Sequence, residues 1–281
     1  MFPSGLFLQV FVDECEVLLR NFLVQVALAE EFAWFLSRTA TTRLFGRSTD
    51  TVLTLDEDPR RAIVISGVGK VAAASAVTRA LALRPDLDAV VSFGVSGSLH
   101  EGLAVGDLVV ASGVVEHDFD AVVLNADQGS PGVERRRSLA DPTLAAVLRE
   151  HCDDLAASTE DCEWWSSGGV RPKIITGELC SGDQLITSSE RRERLTRSHP
   201  ASCAVDMETA AVAYVADLHR VPWGAVRMIS DGASEALDLG LFLDFVATKA
   251  SRVLGEIFNR LVQREGDVSQ KEVGSDRARQ G

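Results

Sequence analysis

The sequence predicts an α/β protein in which a mainly parallel sheet lies between two layers of helices. Short apolar runs rich in β-branched residues alternate along the chain with longer stretches of helical pattern. The runs are apolar at nearly every position, as in strands that are buried on both faces of a sheet. Strands of this kind that alternate with helices predict a three-layer α/β/α arrangement around a twisted, mixed sheet.

The elements follow in order from these local patterns. Strands are predicted at residues 22–28, 51–55, 62–66, 89–93, 107–115, 173–179, 202–205 and 223–229. Helices are predicted at residues 29–37, 68–83, 142–151, 207–219 and 241–261. Residues 153–169 are polar and rich in glycine and serine apart from Trp164 and Trp165, so we expect an irregular surface excursion there, with the two tryptophans capping the core or an interface. We expect one domain at residues 22–264, preceded by an extension (1–21) and followed by a disordered polar tail (265–281).

Composition and charge narrow the classes of function. The 281 residues carry a formal net charge of −13, and an acidic surface repels nucleic acid and anionic membranes alike. The five cysteines are odd in number and form no CxxC pair, which favours a reducing compartment over a disulfide framework. No apolar run reaches the roughly 18 residues of a membrane span, and the apolar N-terminus lacks the basic region of a signal peptide. We therefore expect a cytoplasmic protein that binds neither nucleic acid nor membrane.

The first motif that suggests chemistry is the run Ser66-Gly-Val-Gly-Lys-Val-Ala-Ala, which ends a predicted strand and opens a helix. Glycine permits a positive φ and the close approach of a ligand, and the N-terminus of a helix attracts anions. The run matches neither the dinucleotide-binding fingerprint nor the phosphate-binding loop. A tight strand-to-helix turn is therefore the simpler interpretation.

The second motif begins at Val91-Ser-Phe-Gly-Val-Ser-Gly-Ser, where small residues follow a buried strand. Open α/β sheets bind ligands at the carboxyl ends of their strands, so this position suits a ligand. Asp107 begins the next predicted strand, and we interpret it as a structural turn residue. His117, Asp118 and Asp120 are potential metal ligands, but they lack further His or Cys at ligand spacing. We therefore expect a polar strand end and no bound metal.

The third motif has three parts: Ser181-Gly-Asp-Gln-Leu-Ile, Val205-Asp-Met-Glu-Thr-Ala and Val226-Arg-Met-Ile-Ser-Asp. In the middle part, two carboxylates lie between a predicted strand and an alanine-rich helix. Carboxylates at such a position often only cap the helix, an effect of about 1 kcal/mol. Capping likewise explains Asp231 at the end of the last strand, so each part alone leaves a structural role open.

In this order, the three motifs resemble those of the methylthioadenosine/S-adenosylhomocysteine nucleosidase branch of the nucleoside phosphorylase superfamily. That family has SGxGKVxAA, then a TGxAGGL-like loop with LxVGDIV and HDxD, then SGDxFI, VxMEG/A and RxISD. The similarity extends from about residue 22 to residue 261. It implies a nucleoside phosphorylase-like fold and hydrolysis of the N-glycosidic bond of a purine nucleoside, with release of adenine. It also implies that no cofactor is used and that the protein is a homodimer, with residues 117–120 near the partner subunit.

The resemblance assigns roles to particular residues. It implies that Asp231 is the acid that donates to adenine N7, which lets the base leave as a neutral molecule. We expect an apolar pocket around this acid. Glu208 matches the glutamate that accepts hydrogen bonds from the ribose hydroxyls and stabilises positive charge on the sugar. The backbone of Met207 is expected to lie beside the same sugar.

The resemblance also assigns the nucleophile and the base pocket. Glu31 matches the glutamate that activates the attacking water, with Glu30 one residue out of register, and Arg227 matches the arginine that orients this glutamate. Leu185 lies where the family places an aromatic ring on the purine, and Ile186 where the backbone pairs with the purine edge. Leucine packs against a purine but has no π-system, so stacking is weaker. The substrate site is completed by Gly94, Val95 and Ser230.

Departures from the family pattern leave the substrate open at its 5′ end. The region after Asp120 lacks the aromatic residues that help to form the 5′ pocket, and Val26 replaces a glycine. Hopanoid-associated adenosyl nucleosidases and futalosine hydrolases are similar in motif. A phosphate-dependent phosphorylase is a further alternative, but it needs cations for phosphate, and the strand before Gly94 supplies no arginine. A catalytically dead nucleoside-binding protein is the alternative of another class, and the retention of all three candidate carboxylates argues against it.

Overall fold

The computed structural model describes residues 20–46, 50–119, 136–158, 165, 170–233 and 238–262. Asp120, Trp164, residues 1–19 and the predicted tail lie outside these ranges. The strands are β1 (Phe22–Val26), β2 (Thr41–Phe45), β3 (Thr51–Leu55), β4 (Ala62–Ile65), β5 (Ala89–Ser98), β6 (Leu108–Glu116), β7 (Arg137–Leu139), β8 (Ile174–Ser181), β9 (Ser202–Asp206) and β10 (Trp223–Asp231).

The helices follow most of the predicted positions. A 3-10 turn (Ala29–Phe32) leads into α1 (Ala33–Leu36), followed by α2 (Lys70–Leu83), α3 (Pro142–Ser158), α4 (Ser189–Ser198), α5 (Thr209–His219) and α6 (Leu239–Phe245). A π-helical segment (Val246–Ala250) continues α6 into a helix that extends through residue 262. None of the helices in the described ranges is long and apolar enough to cross a membrane.

The sheet is mixed and closes on itself in the middle of the molecule. Its order is β2-β3-β4-β1-β5-β9-β8-β6-β10, and β10 pairs a second time with β5. Five strands, in the order β5-β9-β8-β6-β10, therefore form a small closed barrel. Strands β1, β4, β3 and β2 extend from it as an open sheet. Parallel pairings join β4 to β1, β1 to β5 and β5 to β10. The carboxyl ends of these four strands consequently meet at one edge of the sheet.

Helices cover both faces of the sheet, which confirms the α/β class predicted from the continuous apolar runs. Alanine-rich α2 and α5 pack on the face that carries Leu23 and Val90. On the other face, α1, α3 and the last helix enclose a cluster of aromatic rings around Phe258. The ring of Phe258 lies 4.7 Å from that of Phe35 and 5.6 Å from that of Phe32, centroid to centroid. Burial of each large apolar side chain contributes about 1.5–3 kcal/mol to this core.

The predicted surface excursion at residues 153–169 is wrong where the structure describes it. Helix α3 continues to Ser158, because Leu155 and Ala156 extend its buried apolar stripe. Trp165 is fully buried and belongs to the same hydrophobic cluster as Phe258. Its indole Nε1 donates a hydrogen bond of 2.8 Å to the carbonyl oxygen of Gly106. This tryptophan therefore anchors the chain against the turn that precedes β6.

Candidate functional site

The candidate site lies at the edge where the parallel strands end. Glu31 follows β1, the glycine-rich turn at residues 66–69 follows β4, and Asp231 is the last residue of β10. The end of β9 meets the end of β5 in the antiparallel sense, with Val205 opposite Gly97. This antiparallel contact brings the start of α5, with its two carboxylates, to the same edge. The topology therefore assembles all three sequence motifs in one place.

Glu31 is buried in the 3-10 turn after β1, with 4% of its surface exposed. Its Oε2 accepts hydrogen bonds from the backbone N–H groups of Ala27 (2.8 Å) and Leu28 (3.0 Å). Its Oε1 accepts from the N–H of Val95 in β5 at 3.2 Å. Burial raises the pKa of Glu31 above its ordinary value, while these N–H groups and the charge of Arg227 oppose the shift. The carboxylate is thus fixed in one orientation and able to take up a proton.

Gly94 leaves the space that Glu31 occupies. A Cβ atom at this position would lie 2.8 Å from Glu31 Oε1 and 3.4 Å from Arg227 Nη1. Val95 is half-buried beside it and contributes the N–H group described above. These two predicted residues therefore shape the site through backbone and space rather than through side-chain chemistry.

Arg227 is fully buried, and its direct carboxylate partner is Asp206 rather than Glu31. The guanidinium Nε donates to Asp206 Oδ2 at 2.6 Å. Its Nη2 donates to the hydroxyl groups of Ser92 and Thr209, both at 2.8 Å. Asp206 also accepts from the N–H and hydroxyl of Thr209, so it caps α5 and holds the arginine at the same time. Arg227 acts on Glu31 through its charge.

Glu208 is the N-cap residue of α5 and is buried, with 7% of its surface exposed. Its Oε1 accepts a hydrogen bond of 2.8 Å from the N–H of Gly69. Burial raises the pKa of Glu208 well above its ordinary value, and the negative charge of Asp206 adds to this shift. The N–H group of Gly69 opposes it. Met207, one residue earlier, is half-buried.

Asp231 is half-buried, with its side chain held by its own loop. Its Oδ1 accepts from the N–H of Ala233 at 2.7 Å, and its Oδ2 lies 2.8 Å from the hydroxyl of Ser230. Ser230 is also 3.2 Å from the carbonyl oxygen of Ser96, so its hydroxyl has two possible acceptors. A Cβ atom at Gly97 would lie 3.0 Å from Asp231 Oδ1. The expected apolar enclosure of this carboxyl group is therefore partial in the described residues.

The two residues expected at the purine differ in exposure. Leu185 has 52% of its surface exposed, whereas Ile186 is buried. Ile186 belongs to a small apolar cluster that also contains Leu99 and Val205, together with Ala233 next to Asp231. Leu185 thus offers an open apolar surface, and Ile186 anchors the segment that carries it.

Of the potential metal ligands at the end of β6, Asp118 is engaged by other partners. Asp118 accepts from Lys70 Nζ at 2.5 Å and from the N–H of Asp183 at 2.8 Å. Glu116 also accepts from Lys70 Nζ at 2.5 Å. Burial lowers the pKa of His117. Across the residues that the structure describes, no group of three or more His, Cys, Asp and Glu side chains is arranged to hold a metal ion.

Two further features of the site follow from the geometry. The sequence interpretation left Asp206 as a possible helix cap, and its pairing with Arg227 was not foreseen. A buried arginine on a strand must find a carboxylate, so the arginine itself was the available signal.

Asp107, interpreted as structural, does join two segments, because it accepts from the N–H groups of Ala104 (2.8 Å) and Lys173 (2.7 Å).

Comparison with known proteins agrees with this geometry. The family model of the Phosphorylase superfamily matches residues 21–263, nearly the whole chain. The chain therefore belongs to the Phosphorylase superfamily.

Individual relatives define the branch. The chain is 31% identical over 199 residues to a 5′-methylthioadenosine/S-adenosylhomocysteine nucleosidase of Haemophilus influenzae, covering 70% of this chain and 80% of the relative. It is 31% identical over 212 residues to the corresponding enzyme of Treponema pallidum, covering 72% and 77%. Within the superfamily, the chain thus falls in the branch of these nucleosidases.

Solved structures support the same fold. The nucleosidase of Colwellia psychrerythraea in complex with adenine is similar at a TM-score of 0.70 and 25% identity, covering 86% of this chain and 96% of the other. The futalosine hydrolase of Helicobacter pylori has the same TM-score at 24% identity, covering 88% and 98%, and shares the fold.

Proposed function

We propose that this protein hydrolyses the N-glycosidic bond of an adenine nucleoside and releases adenine. One observation carries the proposal. Three carboxyl groups, those of Glu31, Asp206 and Glu208, are buried within reach of the charge of Arg227. Such a site favours a ligand that becomes positively charged, as a ribosyl group does when its bond to the base breaks. The relatives carry the names of enzymes that act on adenine nucleosides.

In the proposed mechanism, Asp231 donates a proton to N7 of the purine. The C1′–N9 bond then breaks, its electron pair goes to the base, and adenine leaves as a neutral molecule. Glu208 accepts hydrogen bonds from the ribose hydroxyls and stabilises the cationic sugar. Met207 lies beside the sugar, and Leu185 offers its exposed surface to the purine face, next to the segment anchored by Ile186.

Glu31 is the proposed general base. It takes one proton from water while the water oxygen bonds to C1′, so that a ribose hydroxyl and a protonated carboxyl group result. The three N–H groups on Glu31 hold it in place, and together with the charge of Arg227 they oppose the rise in the pKa of Glu31 that burial causes. Gly94 and Val95 of β5 position the carboxyl group of Glu31, and Ser230 of β10 positions that of Asp231.

Water, rather than phosphate, is the proposed nucleophile. Phosphate is held in proteins by arginine side chains that offer free N–H donors. Arg227 already donates to Asp206, Ser92, Thr209 and the carbonyl oxygen of Val226. A phosphate dianion would also be repelled by the neighbouring carboxylates.

The 5′ group of the substrate is proposed from the relatives. Their names give a methylthio group or homocysteine at this position, which suggests a thioether and a role in methionine salvage. We place this activity in the cytoplasm, in line with Cys152 and Cys203, which are buried thiols outside any disulfide.

A homodimer is proposed from the outer surface of α2 and α5. Between Lys70 and Arg79, α2 carries no charged residue, and Val71 has 81% of its surface exposed. On neighbouring α5, Tyr214 and Leu218 are also exposed. An exposed apolar face of this kind is typical of a subunit interface. Light scattering of the wild type and of Val71→Asp tests the proposal, because a dimer should shift towards monomer, and a wild-type monomer would contradict it.

Adenine release tests the activity. The substrates are methylthioadenosine, S-adenosylhomocysteine and adenosine, with and without phosphate, using wild type and Asp231→Asn. Asp238→Asn is the matched control, because Asp238 caps α6 and asparagine caps equally well. The proposal expects phosphate-independent release that Asp231→Asn reduces at least 100-fold and the control leaves unchanged. Release that requires phosphate would identify a phosphorylase, and bound but intact nucleoside would identify a binding protein.

A further inference from the structure

A row of four buried polar side chains crosses the sheet below the candidate site. Gln25 of β1 lies opposite Ser92 of β5 in the strand register. In β4, Val64 pairs with Gln25, and Ser66 follows Val64 by two residues. In β10, Ala225 pairs with Ser92, and Arg227 follows Ala225 by two residues. Side chains alternate between the faces of a sheet, so all four point to the face covered by α2 and α5. Their exposed fractions are between 0% and 3%.

The polar row stands out from its surroundings. Toward the amino ends of the same strands, this face carries only apolar side chains in the neighbouring positions, among them Leu23, Val64, Val90 and Ala225. A glutamine in the middle of such a sheet is costly to bury unless both its amide oxygen and its amide nitrogen find partners. Gln25 finds both within the row.

The four side chains form a hydrogen-bond chain with one direction. Arg227 Nη2 donates to Ser92 Oγ at 2.8 Å, and Ser92 Oγ donates to Gln25 Oε1 at 2.5 Å. Gln25 Nε2 donates to Ser66 Oγ at 2.9 Å, and Ser66 Oγ lies 2.8 Å from the carbonyl oxygen of Gly67, its nearer acceptor, and 3.3 Å from that of Val26. A guanidinium can only donate, so the first link fixes the direction of those that follow. The amide of Gln25 therefore has a single favourable orientation.

The chain ends at the turn that holds Glu208. Gly67 and Gly69 adopt φ angles of +83° and +95°, a region that favours glycine. In this conformation the N–H of Gly69 points at Glu208 Oε1, 2.8 Å away. At its other end, the chain begins at Arg227, which Asp206 holds in place. The two sides of the ribose site are thus connected through the sheet by Gln25.

We propose that Gln25 is a positioning residue that couples Arg227 to the turn at residues 67–69 and thereby places Glu208 against the ribose. The identity of the ligand rests on the proposed function, whereas the coupling rests on the hydrogen bonds alone. Gln25 touches none of the reacting atoms, and it acts through the Gly69 N–H. That N–H also opposes the rise in the pKa of Glu208 that burial causes, so a displaced turn makes Glu208 harder to ionise.

The test compares Gln25→Met, Ser92→Ala and the double variant with wild type. Methionine keeps the length of the side chain and removes both hydrogen bonds. The control is Ser202→Ala, which removes a buried hydrogen bond of 3.0 Å to Glu178 on the same sheet, away from the row. Hydrogen–deuterium exchange of the peptide that contains residues 66–70 reports the turn without any substrate. Adenine release reports kcat, KM and the pH profile.

The expected result is at least tenfold faster exchange at residues 66–70 in both single variants. Their kcat should fall by about 10- to 100-fold, with the acidic limb of the pH profile moved to higher pH. The double variant should lose little more than either single variant, because both break one chain. The control should match wild type in exchange of this peptide and in pH profile.

Several outcomes would overturn the proposal. Multiplicative effects in the double variant would show that Gln25 and Ser92 act independently. A fall in thermal stability with unchanged exchange at residues 66–70 and an unmoved pH profile would assign Gln25 a merely structural role. If the wild type releases no adenine from any nucleoside, the proposed function fails, and the exchange measurement still decides the coupling.

Discussion

Replacing Glu31 by glutamine separates the chemical role of this buried carboxylate from its structural role. The carboxylate accepts three backbone N–H groups, two on Oε2 and one on Oε1. In Glu31→Gln, the amide oxygen can keep the pair from Ala27 and Leu28. The amide nitrogen then faces the N–H of Val95, donor against donor. One unsatisfied buried donor costs about 1–3 kcal/mol, and loss of the buried charge offsets part of this.

The expected kinetic effect is larger than the structural one. General base catalysis contributes roughly 10²- to 10⁴-fold in rate, which corresponds to about 2.7–5.5 kcal/mol. A domain with about 5–15 kcal/mol of stability stays folded after losing 1–3 kcal/mol. A fall in kcat beyond 100-fold therefore cannot come from unfolding. Urea denaturation and adenine release, measured on the same preparation, separate the two effects.

Glu30→Gln is the matched control, because Glu30 precedes Glu31 and is exposed. It should leave both kcat and the urea midpoint within a small margin of wild type. The reasoning is refuted if Glu31→Gln lowers the urea midpoint but keeps kcat within tenfold of wild type. A larger kinetic loss in Glu30→Gln than in Glu31→Gln would instead identify Glu30 as the general base.

Two further predictions concern the other carboxyl groups. Because burial raises the pKa of Glu208 in the folded protein, the folded state binds more protons than the unfolded state above the ordinary carboxyl pKa of 4.5. The free energy of unfolding should therefore fall as the pH rises from 4.5 toward the raised pKa of Glu208, by up to about 1.4 kcal/mol per pH unit. Urea titrations at several pH values should show that Glu208→Gln flattens this slope. An unchanged slope would contradict the raised pKa of Glu208. Gly97→Ala should displace the loop that holds Asp231, because the new Cβ would lie 2.9 Å from the Cβ of Ala233 and 3.0 Å from Asp231 Oδ1. Because these neighbours must move by a few tenths of an ångström, we expect kcat to fall by up to about 10-fold, and wild-type kinetics would show that the loop of Asp231 yields without cost.

The parts of the fold that could be predicted are those written in local apolar patterns. The central strands and the helices α2 and α5 carry buried residues in their own sequence, so they were predicted within a few residues. Helix α4 was missed because it is strongly charged and buries Leu195 alone among its residues. Strand β2 was missed because it is largely exposed and pairs with β3 alone among the described strands. Neither element offers the apolar periodicity on which sequence reasoning depends.

For the candidate site, the sequence could give the residue types and the edge of the sheet but not the pairings. The positions of Glu31, Glu208 and Asp231 follow from the ends of predicted strands. The partner of Arg227 depends on how β9 meets β5, and this antiparallel contact has no signal in either strand. The apolar pattern predicts Gln25 only as part of a strand, although one glutamine in a fully buried strand already requires polar partners on the adjacent strands.

Arg227 belongs both to the row of buried polar side chains and to the charged groups of the candidate site. Three buried carboxyl groups and one guanidinium leave an excess of negative charge unless a carboxyl group holds a proton. The raised pKa values of Glu31 and Glu208 identify the two groups that can hold this proton. A neutral nucleoside does not change the net charge of the site when it binds. The excess negative charge of the carboxyl groups becomes favourable only when the sugar acquires positive charge. Asp206 takes no part in this exchange, because Arg227 and Thr209 occupy its oxygens. The arginine therefore fixes one carboxylate permanently, and by doing so leaves the other two free to respond to the charge that develops on the ribose.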